Sequence, residues 1–478
     1  MTATATNPYV FPTVVGGLAG VAVFLALSMA SPFGMGNADR PSPDGMQKLG
    51  LRTGAGDTNL APVSAPNILN NEGDASPYDR YTYHEERNPP GTCVLDLPPE
   101  WEPPASLNLR DDYDQPWTAE EQTMAAHAAQ KGLDELLDFF GSAGDARIKG
   151  LGTNGANALI DQCFASSNKP EFHRRACEEA SRVLKVIAPN KLYELESGKP
   201  LQCKSMRKKT KMLAYAHYLH QVLPGDKELK KVRAQLLQLV QGSFDACKTL
   251  DEFLDVRSDV GWEANLDLNN PDALHWSVLR DYIHQQGLVN LYSVPDFVFP
   301  DIDEVDRFVW RLWTFGGKYN YHDGNEEVGF RNDESRHAYQ LTHIAYWPTG
   351  YGRHRQRLTD AQWVYDYVRK NFWAGVRYFR ADPDLMAEFV DILRNVGCTE
   401  DNDVMVRYGS RLFIDAFKRD GETFMSHTTN DYSRIHGPWT AIAAVDRREW
   451  EPIVPGSHGY EFRKAFARGE ALEKALQS

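Results

Sequence analysis

The spacing of apolar and polar residues divides the chain into three parts. Residues 10–29 are an unbroken run of 20 uncharged, mostly apolar residues. Residues 31–116 show no period and are rich in proline, whereas residues 117–478 repeatedly place apolar side chains three and four positions apart, as an amphipathic helix does. The pattern predicts a mainly α protein with a membrane segment at 1–30, an extended tether at 31–116 and a large helical body at 117–478.

The run at 10–29 is long enough to cross a bilayer, because a helix of its length reaches about 30 Å. No lysine or arginine precedes it, whereas a signal peptide normally has basic residues before a shorter apolar stretch. We therefore predict one transmembrane helix, with a cleaved signal peptide or a buried core helix as alternatives. Arg40, Lys48 and Arg52 weakly favour a cytoplasmic position for the chain beyond the run. The signal-like N-terminus and the cysteines favour an extracytoplasmic body.

The first half of the body, residues 117–256, has the pattern of packed helices. Thr118 and Glu121 form a capping-box pattern that opens the first of them. The helices are predicted at 118–140, 170–188, 204–222 and 226–247. The last two form an antiparallel hairpin, because only a short turn containing proline and glycine separates them.

The second half, residues 257–478, is rich in tryptophan and histidine. Helices are predicted here at 271–286, 302–315, 333–345, 359–380, 383–396, 402–418 and 460–476. The apolar segment 288–303 contains prolines and is predicted as an extended connection or short edge strands. Helices of this number and length permit an α/α-toroid, in which the ends of an inner ring of helices surround one cleft.

Composition and charge exclude several classes of protein. The chain has 52 basic and 66 acidic residues, a formal net charge of −14, so it lacks the basic surface needed to bind nucleic acid. Six cysteines occur without a CxxC motif, which leaves a redox or zinc-ribbon site unsupported. Cys163 with Cys177 and Cys203 with Cys247 are spaced as local disulfides, although small buried hydrophobic residues are an equally good interpretation.

Histidines are concentrated in two clusters of the second half. Seven of the fourteen lie between positions 322 and 458. The first cluster spans 321–347 and the second 426–440. If 333–346 is helical, Arg336, Tyr339, His343 and Tyr346 lie near one face. His354 and His458 lie in loops and are expected at the surface.

Histidine beside tyrosine and an acid is suited to proton transfer, because imidazole serves as a base and a phenol supplies a proton. We expect His343 to be the base or a ligand and Tyr346 its acid partner. The candidate catalytic residues are His343, Tyr346, His427, Asp431 and His436. The candidate substrate-binding residues are Arg336 for an anionic group, Tyr339, Trp347, Trp439 and Asn430. The metal-ligand candidates are His322, Asp323 and His337, whose spacing matches no known metal signature. Structural hydrogen-bond networks are the alternative interpretation of both clusters.

The sequence therefore predicts a membrane-anchored enzyme with a cleft in its second half. The expected chemistry is of the lyase, isomerase, dehydratase or hydrolase type, acting on a small molecule or a glycan. One alternative is a non-catalytic accessory subunit with protein partners in a membrane complex. Another is a metal- or haem-dependent oxidoreductase. The sequence identifies no cofactor, and no motif identifies a family.

Overall fold

The computed structural model describes residues 88–478 except 166–169, 257–259, 271–275, 319–331, 351, 381, 426–428 and 447–449. The predicted membrane segment, most of the tether, His322, Asp323 and His427 lie outside the described residues, as do the side chains of Arg336 and His337. Contacts divide the chain into units at 1–75 and 76–478, and the described residues belong to the second. None of its described helices is long and apolar enough to span a membrane.

Helices dominate the described residues, which contain no strand, and the prediction of a mainly α protein is confirmed. The helices are α1 Ala119–Ser142, α2 Asp145–Leu151, α3 Thr153–Ala165, α4 Pro170–Ile187, α5 Pro189–Glu196, α6 Met206–Val222, α7 Lys227–Asp245, α8 Leu250–Leu254, α9 Gly261–Asn265, α10 Trp276–Ile283, α11 Gln286–Asn290, α12 Ile302–Lys318, α13 Asn332–Ala345, α14 Leu358–Tyr378, α15 Pro383–Asn395, α16 Val404–Arg419, α17 Asp431–Val445 and α18 His458–Gln477. Short 3-10 helices occupy Pro99–Trp101 and Leu291–Ser293.

The prediction of edge strands at 288–303 is wrong. The segment begins inside α11, continues as a 3-10 helix and becomes irregular at its prolines. Its apolar residues Leu288 and Val289 are fully buried because α11 packs tightly on α6. Gly287 lies so close to the backbone of Lys211 that a Cβ there would be 2.7 Å from the Lys211 nitrogen.

Helix starts follow ordinary capping chemistry. The predicted capping box is present: the Thr118 hydroxyl accepts a hydrogen bond from Glu121 N, and the Glu121 carboxylate accepts one from Thr118 N. Helix α17 was not among the predicted helices, since the polar residues before it favour a loop equally well. Asn430 caps it by accepting a hydrogen bond from Ser433 N at 3.2 Å.

Six helical segments contact one another in a closed ring. In order these are α3, α6, α10 with α11, α13, α15 and α17, and α17 returns to α3. Helices α1, α4, α7, α12, α14 and α16 pack on the outside of this ring. Apolar contact between the two sets is close: a Cβ at Gly409 of α16 would lie 2.4 Å from Val390 Cγ2 of α15. The polar residues of the candidate site lie between neighbouring helices of the ring.

Three disulfides join all six cysteines. The predicted pairs Cys163–Cys177 and Cys203–Cys247 are confirmed. The first joins α3 to α4, and the second joins the ends of the α6–α7 hairpin. The third, Cys93–Cys398, spans 305 positions. This third pair was not predicted, because long-range pairing cannot be read from spacing.

Residues 88–117, here called the strap, lie against the helical body. Buried Arg369 donates to the carbonyl oxygen of Thr92 at 3.0 Å. Arg411 donates hydrogen bonds to four backbone carbonyl oxygens of the strap, those of Asp112, Tyr113, Gln115 and Pro116. Together with the Cys93–Cys398 disulfide, these contacts fix the strap along its length.

Candidate functional site

Helices of the ring carry polar side chains one turn apart on the sides where they meet. We call the following residues the central cluster: Asp161, Arg207, Lys211, His284, Tyr339, Thr342, His343, Asp382, Asp384, Glu388, Tyr432, His436, Trp439 and Thr440. Hydrogen bonds and charge interactions connect them from helix to helix. The pattern arises because residues at i and i+4 share a helix face.

Asp384 and His436 form a buried ion pair between α15 and α17. His436 Nδ1 donates to Asp384 Oδ2 at 2.6 Å, and the Thr440 hydroxyl donates to Asp384 Oδ1 at 2.8 Å. Burial alone would raise the pKa of Asp384, but His436 outweighs it and holds the pKa below its usual value. Burial opposes the charge on His436, yet Asp384 and the neighbouring acids raise the pKa of that imidazole. The pair is therefore an imidazolium held by a carboxylate.

Two further carboxyl groups lie beside this pair and are bonded to hydroxyl groups. Tyr339 donates to Asp382 Oδ1 at 2.5 Å, and Thr342 donates to Glu388 Oε2 at 2.5 Å. Burial raises the pKa of Asp382 to about 6 and the pKa of Glu388 to about 8. At neutral pH the Glu388 side chain is thus mainly a carboxylic acid, while Asp382 is mainly ionised.

Each of these carboxyl groups keeps one oxygen available. Within the described part of the chain, Asp382 Oδ2 and Glu388 Oε1 accept no hydrogen bond, and neither atom is fully enclosed. Both residues retain part of their accessible surface although burial shifts their pKa strongly. A polar wall that is surrounded by protein and still reachable is what a cleft provides.

His343 faces the same region with a defined tautomer. Its Nδ1–H donates to the carbonyl oxygen of Tyr339 at 2.7 Å, which leaves the lone pair on Nε2. The ring meets His284 edge to face, with centroids 5.4 Å apart. Burial, together with the charges of Lys211 and His436, lowers the pKa of His343 to about 4. His343 is therefore neutral and a hydrogen-bond acceptor.

A basic side of the central cluster lies on α6. Burial and the charge of Arg207 lower the pKa of Lys211 to about 8, against the opposing effect of Asp161. Burial, Arg207 and Lys211 also lower the pKa of His284. Asp161 in turn accepts a hydrogen bond from Trp439 Nε1 at 3.0 Å, which connects α3 with α17.

The structure brings some predicted site residues together and separates others. His343, Tyr339, His436 and Trp439 belong to the central cluster. Tyr346 lies one turn from His343, where its hydroxyl donates to Asp391 Oδ2 at 2.9 Å. The remaining predicted residues with described side chains lie elsewhere.

Three predicted site residues have bonding roles outside the central cluster. Asp431 forms a two-bond ion pair with Arg147, which lowers the pKa of Asp431. Asn430 caps α17. Trp347 has no accessible surface and donates from Nε1 to the carbonyl oxygen of Ile283 at 3.0 Å.

The expectation that His354 and His458 lie at the surface is wrong. Both are buried and their rings stack, with centroids 6.5 Å apart. His354 Nδ1 donates to the carbonyl oxygen of Glu451, and His458 Nε2 donates to that of Trp347. Burial lowers both pKa values to about 3. Their glycine- and arginine-rich surroundings suggested exposure, but the glycines allow close packing: a Cβ at Gly350 would lie 2.8 Å from the His458 ring.

The acids Asp382, Asp384 and Glu388 were not predicted as site residues. In α15 acidic residues recur at 384, 388 and 391, and most of the residues between them are apolar. Such a stripe normally marks the solvent-facing side of an amphipathic helix. In this structure the stripe is instead packed within the protein: Asp384 and Asp391 are buried, and Glu388 is partly buried.

Donor groups close enough to share a metal ion occur at two places in the described residues. One consists of Cys163, His173 and Cys177, and the other of Cys93, Cys398 and Asp403. In both, the two sulfurs form a disulfide and so supply no thiolate ligand. The predicted metal ligands lie outside the described side chains.

Comparison with protein-family models, curated proteins and solved structures finds no match to this chain. Functional conclusions therefore depend on the geometry and electrostatics of the central cluster.

Proposed function

We propose that the central cluster is the active site of a membrane-anchored enzyme that acts on a small hydroxylated substrate by proton transfer. The reaction is of the lyase, dehydratase, isomerase or hydrolase type. The observation that carries the proposal is the pair Asp382 and Glu388. Their carboxyl groups each keep an available oxygen, and their pKa values are about 6 and about 8. Separated pKa values in neighbouring groups are typical of an acid and a base assigned to one reaction.

Glu388 is the proton donor in this proposal. Its pKa keeps the proton in place at neutral pH, and Thr342 fixes one oxygen so that Oε1 is presented to the cleft. Asp382 is the proton acceptor, because it is mainly ionised and its Oδ2 is available. Both pKa values lie close to neutral pH, where acid–base catalysis is most effective.

These roles differ from those expected for His343 and Tyr346. A pKa of about 4 makes the His343 imidazole a weak base, and the Tyr346 hydroxyl already donates to Asp391. His343 Nε2 is suited instead to accept a hydrogen bond from a substrate hydroxyl. The Asp384–His436 pair fixes the local charge and holds α15 against α17.

The ring of six inner segments with helices outside it supports the α/α-toroid as the architecture. In that arrangement one cleft is shared by all the inner helices, which agrees with a cluster drawn from α3, α6, α13, α15 and α17. The disulfides support a body outside the cytoplasm, since such bonds persist in oxidising compartments. We propose that residues 10–29 anchor it as a single-pass protein.

The test uses the full-length chain in detergent with a panel of glycosides, polysaccharides, uronates and tertiary or allylic alcohols. Wild type is expected to turn over one class, and Glu388→Gln to lose about 10²- to 10⁴-fold, the usual contribution of a general acid. Glu120→Gln is the matched control, because its side chain is 82% exposed, and it is expected to retain full activity.

Two results would contradict the proposal. One is a folded Glu388→Gln variant with unchanged turnover. The other is a folded wild type that converts nothing and copurifies with a stoichiometric partner, which would favour an accessory subunit. Metal analysis and an absorption spectrum of the same preparation test the oxidoreductase alternative.

A further inference from the structure

We propose that the reaction breaks a carbon–oxygen bond of an uncharged substrate and passes through a positively charged carbon. This inference rests on the proposed function and narrows its substrate class. It is drawn from the distribution of charge inside the central cluster, which differs between the α15 side and the α6 side.

The α15 side has more carboxyl groups than cations to neutralise them. Several described residues shift the pKa values of Asp382, Asp384 and Glu388, and His436 is the single cation among them. Asp384 takes that cation. Asp382 accepts from the Tyr339 hydroxyl and from Leu385 N, and Glu388 accepts from the Thr342 hydroxyl, so none of these partners carries a charge. A positive charge that develops beside these carboxyl groups is therefore stabilised.

The structure already contains an example of that stabilisation. His436 is buried, and burial disfavours an imidazolium, yet its pKa is raised by the surrounding acids. The Tyr432 ring lies over it, with centroids 4.9 Å apart and planes tilted by 32°. Burial and the neighbouring carboxylates raise the pKa of Tyr432, so its ring stays a neutral phenol whose face favours a cation.

Formation of a negatively charged enolate would need the opposite distribution of charge. It requires cations or several hydrogen-bond donors around the developing oxygen anion. The basic groups Arg207 and Lys211 change the pKa values of His284 and His343. The charged groups that change the pKa of the proton donor Glu388 are instead His436, Asp384 and Asp382. Beside the donor, the charge that the protein stabilises is positive.

The step follows from these positions. Glu388 gives its proton to the departing oxygen, which takes the electron pair of the carbon–oxygen bond and leaves as an alcohol or as water. The carbon keeps the positive charge beside Asp382 and Asp384. Asp382 then removes a proton, either from the adjacent carbon to form an alkene or from a water molecule that attacks the cation.

The experiment compares cationic probes with neutral probes of the same shape, by calorimetry on the full-length chain. Deoxynojirimycin is paired with anhydroglucitol to represent a sugar, and dimethylallylamine with the hydrocarbon of the same skeleton to represent an allylic alcohol. In one pair the protonated amine is expected to bind at least about tenfold more tightly than its neutral counterpart, as a charge-assisted contact implies. The pair that shows the preference identifies the substrate class.

Asp382→Asn removes the available carboxylate oxygen and is expected to abolish that preference, while Glu120→Gln keeps it. Equal binding of amine and neutral probe in both pairs, or no binding of any probe, overturns the inference, and neither result needs a variant to fold. Turnover of uronates that depends on Glu388, without any preference for amines, would also overturn it and would leave the proposed function standing.

Discussion

The ion pair between Asp384 and His436 makes the sharpest prediction for stability. His436→Gln removes the cation and leaves Asp384 with only its 2.8 Å hydrogen bond from Thr440. The side chain of Asp384 is 11% exposed and that of His436 is 10% exposed, so water cannot replace the lost partner well. Removing one member of a buried pair typically costs about 3–5 kcal/mol. We expect a loss of that size in the free energy of unfolding.

The loss depends on pH with a predictable sign. The pKa of Asp384 is lowered, so its contribution is present above its ordinary value of 3.8 and disappears as pH falls through the lowered pKa. The pKa of His436 is raised, so its contribution is complete below 6.5 and disappears as pH rises through the raised pKa. The cost of His436→Gln is therefore largest between about pH 4 and 6.5 and smaller at pH 9.

The measurement is a double-mutant cycle by urea unfolding at pH 6 and pH 9. Asp384→Asn alone leaves an imidazole without its carboxylate, whereas the double variant places two neutral amides opposite each other. The double variant is expected to recover at least about 1.5 kcal/mol relative to the sum of the single losses. A loss below about 1 kcal/mol for His436→Gln at pH 6, or strict additivity, would refute the assignment of a buried ion pair.

Three further predictions concern other parts of the fold. The pKa of Glu388 is raised from 4.5 to about 8, so its ionisation lowers the free energy of unfolding as pH rises through that interval, by up to about 1.4 kcal/mol per pH unit. In Glu388→Gln the urea midpoint should therefore depend less on pH, and an unchanged pH dependence would contradict the shift. His354 and His458 have lowered pKa values, so the protein becomes less stable as pH falls below 6.5. His458→Gln should reduce this loss of melting temperature in acid, and an identical dependence of melting temperature on pH would count against buried neutral rings. Replacing Cys93 and Cys398 by serine should cost about 2–5 kcal/mol and speed proteolytic cutting of the strap, and equal cutting rates would show that the other contacts suffice.

Sequence periodicity predicted the helices well because most of them bury one apolar face. The capping box at Thr118 and the helix at Pro170–Ile187 carry strong local start signals, and both are present. Helix α17 was missed because its cap, Asn430, and its interior proline, Pro438, are both typical of loops. Its packing partners in the ring are distant in sequence, so the local pattern does not indicate them.

The candidate site was predicted only in part, for a related reason. His436 and His343 attracted attention because histidine near tyrosine suggests proton transfer. The acids of α15 did not, since a stripe at 384, 388 and 391 has the same appearance whether it faces solvent or a cleft. Burial decides between these, and burial depends on which helices meet, a long-range property of the chain. It also turns His354 and His458 from expected surface residues into core residues.

The Cys93–Cys398 disulfide determines how the body responds to mechanical load. Tension applied to the chain before residue 93 passes through the disulfide to residue 398, in the loop that follows α15, and the chain between the two cysteines is bypassed. Helix α1 and the outer helices after it are therefore not pulled open from their N-terminal side. The load instead falls on the strap's attachment near Arg369 and Asp403, a buried pair, at the opposite end of α15 from Asp382 and Asp384.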